Sequence, residues 1–355
     1  MKGRTLSRRV ILKVSTGLAL GAVFASPARA QAPPPETITS QLIDAANQEA
    51  RVVLYSSMDL PVGEKLAKAF ETKYPGIAVR VERSGAERVF QRIGQEYASN
   101  IHACDVVITT NPAHMLVWTA DNLLTPYRTE DMAKHFPAEV VNADGLYATV
   151  CSWLGVVGYN TNLVKREDAP KSFADLLDPK WKGKMVKGHP SYSGAILTTT
   201  FVLARDLGWP YLEKLAQQRV MQVQSAADPP KKIAIGERAV QADGNDYSLV
   251  VMKAQGQPVE VVYPAEGSVL ITVPSAVMQA APNPNAARLF QNFMFSAEAQ
   301  QLFVDAFAHR SFHTQVKEPP ERTPLSAIKL LRSDPAAVEA QSEDIKARYA
   351  KIFGV

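Results

Sequence analysis

The sequence predicts an α/β fold made of two doubly wound lobes joined by a hinge of crossing strands. Three observations predict it. From residue 52 onward, short apolar runs alternate with amphipathic helical stretches, the β-α-β-α-β-α order of a parallel sheet covered on both faces. About 325 residues remain once an N-terminal leader is set aside, which suits two cores better than one. An apolar extended stretch at 149–159 is long enough to cross between lobes.

The leader comes first. Arg8 and Arg9 precede a mildly apolar stretch at 14–26, and Ala28-Arg29-Ala30 supplies a small-x-small cleavage pattern. Residues 1–30 resemble a bacterial twin-arginine signal peptide, too short and too weakly apolar for a spanning helix. The expected location is therefore the periplasm, reached after folding in the cytoplasm. Six of the positive charges and no acid fall in this leader, so the overall +4 becomes −2 for the remainder. The basicity belongs to the leader and gives no argument for nucleic-acid binding. Cys104 and Cys151 permit a disulfide or two buried thiols.

Residues 31–36, with three consecutive prolines, read as a flexible lead-in, followed by a helix at 38–49. Val52-Val53-Leu54-Tyr55 is a run suited to a buried parallel strand. A helix then starts near Pro61, with Val62, Leu66, Ala69, Phe70 and Tyr74 on one face, and Pro75-Gly76 stops it. Residues 77–81 form the next strand, and Val89, Phe90, Ile93 and Tyr97 mark the next helix. Residues 105–109 form a third strand, followed by a helix at 115–120. A second series begins after Ala148: the crossing stretch, a connection at 170–183, and a strand at 183–186. A helix follows at 193–206, with Ile196, Thr200 and Leu203 on one face. Further alternation runs through 232–255, and residues 259–264 read as a strand returning to the first lobe. Residues 271–273, 286–295 and 297–307 complete that lobe, and a helix at 335–353 packs outside the cleft. The expected organisation is leader 1–30, first lobe 31–152 and 263–313, second lobe 153–262, and a C-terminal helical segment 314–355.

Sheets of this type bind ligands at the carboxyl ends of their strands. Those ends offer Ser56, Ser57, Ser84, Thr110 and Asn111, which are small and polar, as tight turns also require. Ser193-Gly194-Ala195 enters a helix, where free backbone N–H groups, a glycine and a hydroxyl could hold an anion; a plain Ser N-cap reads the same way. Arg88 or Arg83 could clamp a carboxylate or phosphate from the first lobe. His309 and His313, four apart, are a weak metal pair because the helix is expected to end before them. There is no nucleophile elbow, no phosphate-binding Gly-x-x-x-x-Gly-Lys loop and no Cys-x-x-Cys, so any ATP hydrolysis would belong to another chain.

Several phrases resemble the type II periplasmic solute-binding proteins of ABC importers. They are Val52 to Ser57 with Ala69 to Ile77, Asp105-Val106-Val107, Gly158-Tyr159-Asn160-Thr161, and Asn292 to Gln300. Ser172 to Lys184 is the most specific, and is similar to the ferric-iron-binding and phosphate-ester-binding branch. The resemblance covers most of residues 50–315. It implies closure of two lobes on a small ligand, a membrane permease and an ATPase as partners, a monomer, and no catalysis. Iron-binding members present adjacent tyrosines, whereas this chain has Asn245-Asp246-Tyr247-Ser248. A ferric ion would need Tyr247 and Asp246 with further groups such as Glu87 or Tyr263. The ligand is thus expected to be ferric iron or a small anion such as a phosphate ester, phosphonate or carboxylate. A ligand-sensing receptor of the same fold and an exported enzyme are the alternatives.

Overall fold

The computed structural model describes residues 32–355; the expected twin-arginine leader lies outside them. Chain order in the first half is α1 (Ser40–Glu49), β1 (Arg51–Ser56), α2 (Leu60–Lys73), β2 (Ala78–Arg83), α3 (Ala86–Ala98), β3 (Val106–Ile108), α4 (Ala113–Ala120) and α5 (Glu130–His135). The boundaries follow local chemistry. The Thr39 hydroxyl accepts the Leu42 N–H at the start of α1, Pro61 occupies the first turn of α2, and Thr129 caps α5. Strand β4 (Ala148–Asn160) follows, buried along all thirteen residues.

The second half contains β5 (Met185–Gly188), α6 (Gly194–Asp206), α7 (Trp209–Gln217), β6 (Met221–Val223), α8 (Asp228–Ala234), β7 (Val240–Asn245), α9 (Asp246–Ala254) and β8 (Val259–Val262). The chain then returns through β9 (Ser268–Val277), α10 (Pro284–Phe295) and α11 (Ala297–Phe307), and ends with β10 (Leu330–Leu331) and α12 (Pro335–Phe353).

The strands form one continuous path, β2-β1-β3-β9-β4-β7-β5-β6, with β8 on β4 and β10 on β9. Strands β2, β1 and β3 are parallel, as are β7, β5 and β6. The antiparallel pair β4 and β9 joins these two parallel sets. Residues 148–155 of β4 pair with β9, and residues 155–160 pair with β7 and β8. One strand thus belongs to both halves, which is the crossing expected of 149–159. Each half carries apolar packing on both sheet faces. Phe70, Phe290 and Phe293 lie on one side of the first half and Trp118, Met115 and Ile93 on the other. Leu176, Trp181 and Leu212 pack one face of the second half, Ile233 and Leu249 the other.

Two expectations are corrected. Val259–Val262 does not return to the first lobe: it pairs with Val157–Asn160 at the far end of β4. The return is made by β9, whose ten residues are almost all buried and which pairs antiparallel with residues 148–155 of β4. Helix α6 is not amphipathic in place: Gly194 through Leu203 are all buried, because neighbouring helices, α12 among them, cover what the sheet leaves open. Helix α12 packs on α4, α6 and α7, away from the cleft as expected. Cys104 and Cys151 are free, buried thiols in different apolar clusters.

Candidate functional site

The carboxyl ends of β1, β2 and β3 face the segments before α6, α8 and α9 across a cavity of about 670 Å³. Its first wall is built by strand ends. The Ser57 Oγ accepts the Thr110 N–H at 2.8 Å and lies 3.3 Å from the Thr110 hydroxyl, pinning the ends of β1 and β3 together. Both residues line the cavity. Arg83 and Arg88 reach across from the same wall. Arg83 Nε donates to the Met58 carbonyl at 3.3 Å, and its Nη2 lies 3.5 Å from the Ser225 hydroxyl. Arg88 donates to Gln224 at 3.4 Å and lies over the Tyr192 ring. Among the described residues neither arginine has an acidic partner within ion-pair distance.

The opposite wall places Ser193, Ser225 and Tyr247. Ser193 caps α6 through its hydroxyl, which accepts the Ile196 N–H at 3.4 Å, yet it still lines the cavity with Ala195 just below. Ser225 starts a tight turn: its hydroxyl accepts the Ala227 N–H, and Asp228 accepts the Ser225 N–H. The Tyr247 hydroxyl donates to Asp59 at 3.0 Å across the cavity. Its ring lies between His309, stacked at 4.3 Å, and Trp153, edge-on at 5.8 Å. Burial, together with the Asp59 carboxylate, pushes the Tyr247 phenol well above its ordinary value, so it is a neutral donor at pH 7.

Several expected site residues are elsewhere. Asp246 is fully buried behind the wall, where Oδ1 accepts the Leu154 N–H at 2.9 Å and Arg322 and Arg310 flank Oδ2 at 3.6 and 3.9 Å. It anchors α9 to β4 and cannot reach a ligand. Ser56 is buried, with its hydroxyl accepting the Met58 N–H, and Ser84 is outside the cavity lining. Asn111 is buried and donates to Glu87 at 3.2 Å. Glu87 is occupied by His114 at 3.2 Å and Lys346 at 2.7 Å; burial pushes its carboxyl up, but these partners prevail and hold it at about 2. Tyr263 lies near Arg310 and Arg322 rather than in the cavity. Gly194 does not open toward a ligand either. A Cβ there would lie 2.4 Å from Asn111 Cβ and 3.1 Å from Ala86 Cβ, so the glycine lets the start of α6 close against the first wall.

Asp59, Tyr192, Gln224 and Ser225 were missed. The run Ser225-Ala226-Ala227-Asp228-Pro229-Pro230 carried a signal: small residues before an acid and prolines mark a tight turn into a helix. Asp59 precedes the proline-started α2 in the same way.

A family model for bacterial extracellular solute-binding proteins matches residues 50–307. The putative 2-aminoethylphosphonate-binding periplasmic protein of Salmonella typhimurium is 30% identical over 240 residues, covering 64% of this chain and 68% of that protein. Iron uptake protein A1 of Synechocystis is 23% identical over 315 residues, covering 84% of this chain and 85% of its own. Among solved structures, the periplasmic binding protein AfuA of Actinobacillus pleuropneumoniae, with fructose-6-phosphate bound, superposes with a TM-score of 0.79 at 24% identity. That match covers 86% of this chain and 99% of the other, and shows the same two-lobed fold.

Proposed function

The chain belongs to the bacterial extracellular solute-binding protein family, and from that premise we propose that it captures an anionic solute in the periplasm and hands it to an ABC permease powered by a separate ATPase. The observation that carries the anion is the pair Arg83 and Arg88, both exposed, both at the cavity and both without an acid beside them among the described residues. Guanidinium groups in this position match the two oxygens of a carboxylate, phosphate or phosphonate. Around them stand the hydroxyls of Ser57, Thr110, Ser193 and Ser225, and the first turn of α6, whose early N–H groups favour negative charge. These groups would bind and orient a solute.

Opening of the two lobes would supply the release step. The first lobe ends near Leu154 in β4 and resumes with β9, so rotation about β4 and β9 would open the cavity without breaking either parallel set. The residues of 1–30 would direct export.

Ferric iron is the competing cargo. One observation favours it: the hydrogen-bonded oxygens of Tyr247 and Asp59 are hard ligands pointing into the cavity. Native mass spectrometry of gently purified protein, with metal analysis, separates the two. An organic anion carried with the protein, and binding weakened in Arg83→Ala and Arg88→Ala, supports the anion reading. Each charge-assisted contact is worth about 1.5–3 kcal/mol, so each variant should weaken binding about tenfold to 150-fold. Stoichiometric iron with a visible absorption band that disappears in Tyr247→Phe would overturn it.

A further inference from the structure

Outside the cleft, three metal-ligating side chains converge where α5 meets the loop after α11. Asp131 and His135 are four residues apart on α5, so one helical turn places them on one face. His313 comes from the loop, and one ligand atom from each of the three lies within 4.8 Å of the others. The two imidazoles stack with centroids 4.8 Å apart and planes 29° apart, and Phe136 meets the His313 ring edge-on. The loop is already tied to α5, because the Thr314 N–H donates to the His135 carbonyl at 3.1 Å.

His313 supplies a second, independent observation. It is 3% exposed, its Nδ1 accepts the Gln315 N–H at 3.2 Å, and its buried Nε2 has no hydrogen-bond partner. Buried ring nitrogens are normally satisfied, so one left without a partner marks a place for a ligand. The other ring is partly fixed too: His135 Nδ1 lies 3.2 Å from the Thr314 hydroxyl, which leaves its Nε2 available.

We propose that Asp131, His135 and His313 bind one divalent transition-metal ion of the zinc class. Two imidazoles and one carboxylate are a ligand set such ions take, with a water in the fourth position. Loading an ion on His313 Nε2 places that ring's proton on Nδ1 and turns the Gln315 N–H aside. The ion would clip the loop after α11 to α5. That loop carries Arg310 and Arg322, which flank Asp246 at the base of α9. The site is structural, and it is independent of the solute held in the cleft.

The test uses tag-free protein stripped with a chelator and titrated with Co²⁺, then Zn²⁺. One equivalent of Co²⁺ should bind with visible ligand-field bands, Zn²⁺ should displace it, and Zn²⁺ should raise the melting temperature. Removing a group that only hydrogen-bonds to a metal ligand costs about ten- to a hundredfold in metal affinity, so losing a direct ligand in His135→Ala should cost at least about a hundredfold. Asp131→Asn, a near-isosteric change at a half-buried position, should also weaken binding and keeps the test open if His135→Ala folds poorly. Tyr247→Phe should leave the titration unchanged, which separates this site from the cleft. Wild-type protein that binds neither ion at micromolar concentrations overturns the proposal. So does binding that survives in both Asp131→Asn and His135→Ala.

Discussion

Gly194→Ala is the sharpest probe of closure. The added Cβ would lie 2.4 Å from Asn111 Cβ, a distance that real Cβ contacts essentially never show, and 3.1 Å from Ala86 Cβ. Neither neighbour yields easily. Asn111 is held by Glu87 through its amide nitrogen and by the Ala113 N–H through its oxygen, and Ala86 is in the first turn of α3. The clash exists only when the start of α6 meets the first wall, so it should act on the closed form and spare each lobe's own packing. Overpacking a tight contact costs about 1–3 kcal/mol. If closure is required for tight binding, the affinity for the preferred anion should fall about fivefold to 150-fold. Calorimetric titration measures the affinity, and scattering measures whether the radius of gyration still shrinks with ligand. Ser193→Ala is the control. It removes the Ile196 N–H cap and should lower stability by about 0.5–2 kcal/mol, while moving affinity less than Gly194→Ala. A Gly194→Ala protein that binds as tightly as wild type and compacts as fully would refute the closure argument.

Acid should destabilise the fold in two stages. Burial, and then the Arg322 charge, hold His309 at about 3, so below about pH 6.5 the unfolded chain takes up a proton that the folded one refuses. Stability should therefore fall as pH drops from about 6.5 to 3, and His309→Phe, which keeps a ring against Tyr247, should flatten that slope in melting temperature against pH. Glu87, held at about 2, adds a further loss as pH falls below about 4.5, which Glu87→Gln should remove. Reducing agent should leave the melting temperature unchanged, and a thiol reagent should label neither Cys104 nor Cys151 until the protein unfolds, since both are buried and free. Tyr247→Phe should weaken anion binding only modestly, because the arginines and hydroxyls remain; titration against wild type checks this, and a loss as large as that of Arg83→Ala would move the centre of recognition to Tyr247.

The alternation of apolar runs with amphipathic stretches was enough to predict both lobes, because parallel strands buried on both faces and the helices that cover them each leave a local periodic signature. The length and apolar character of 149–159 likewise announced a crossing strand. Residue types at strand ends pointed to Ser57 and Thr110, and the start of a helix pointed to Ser193, since the cleft of such a sheet is fixed by topology. What local pattern does not encode is which side chain faces which neighbour across the cleft. Asp246 and Tyr247 are adjacent in sequence, yet the first turn of α9 sends one into Arg310 and Arg322 and the other into the cavity. Gly194 looked like a door left open for an anion, and becomes a close contact only because Asn111, distant in the chain, comes to meet it. Strand β8 was mistaken for the return because a short valine-rich run reads alike in either lobe, and only pairing with β4 distinguishes it from β9. The convergence of Asp131 and His135 with His313 spans about 180 residues of chain, a distance over which sequence spacing carries no geometric information.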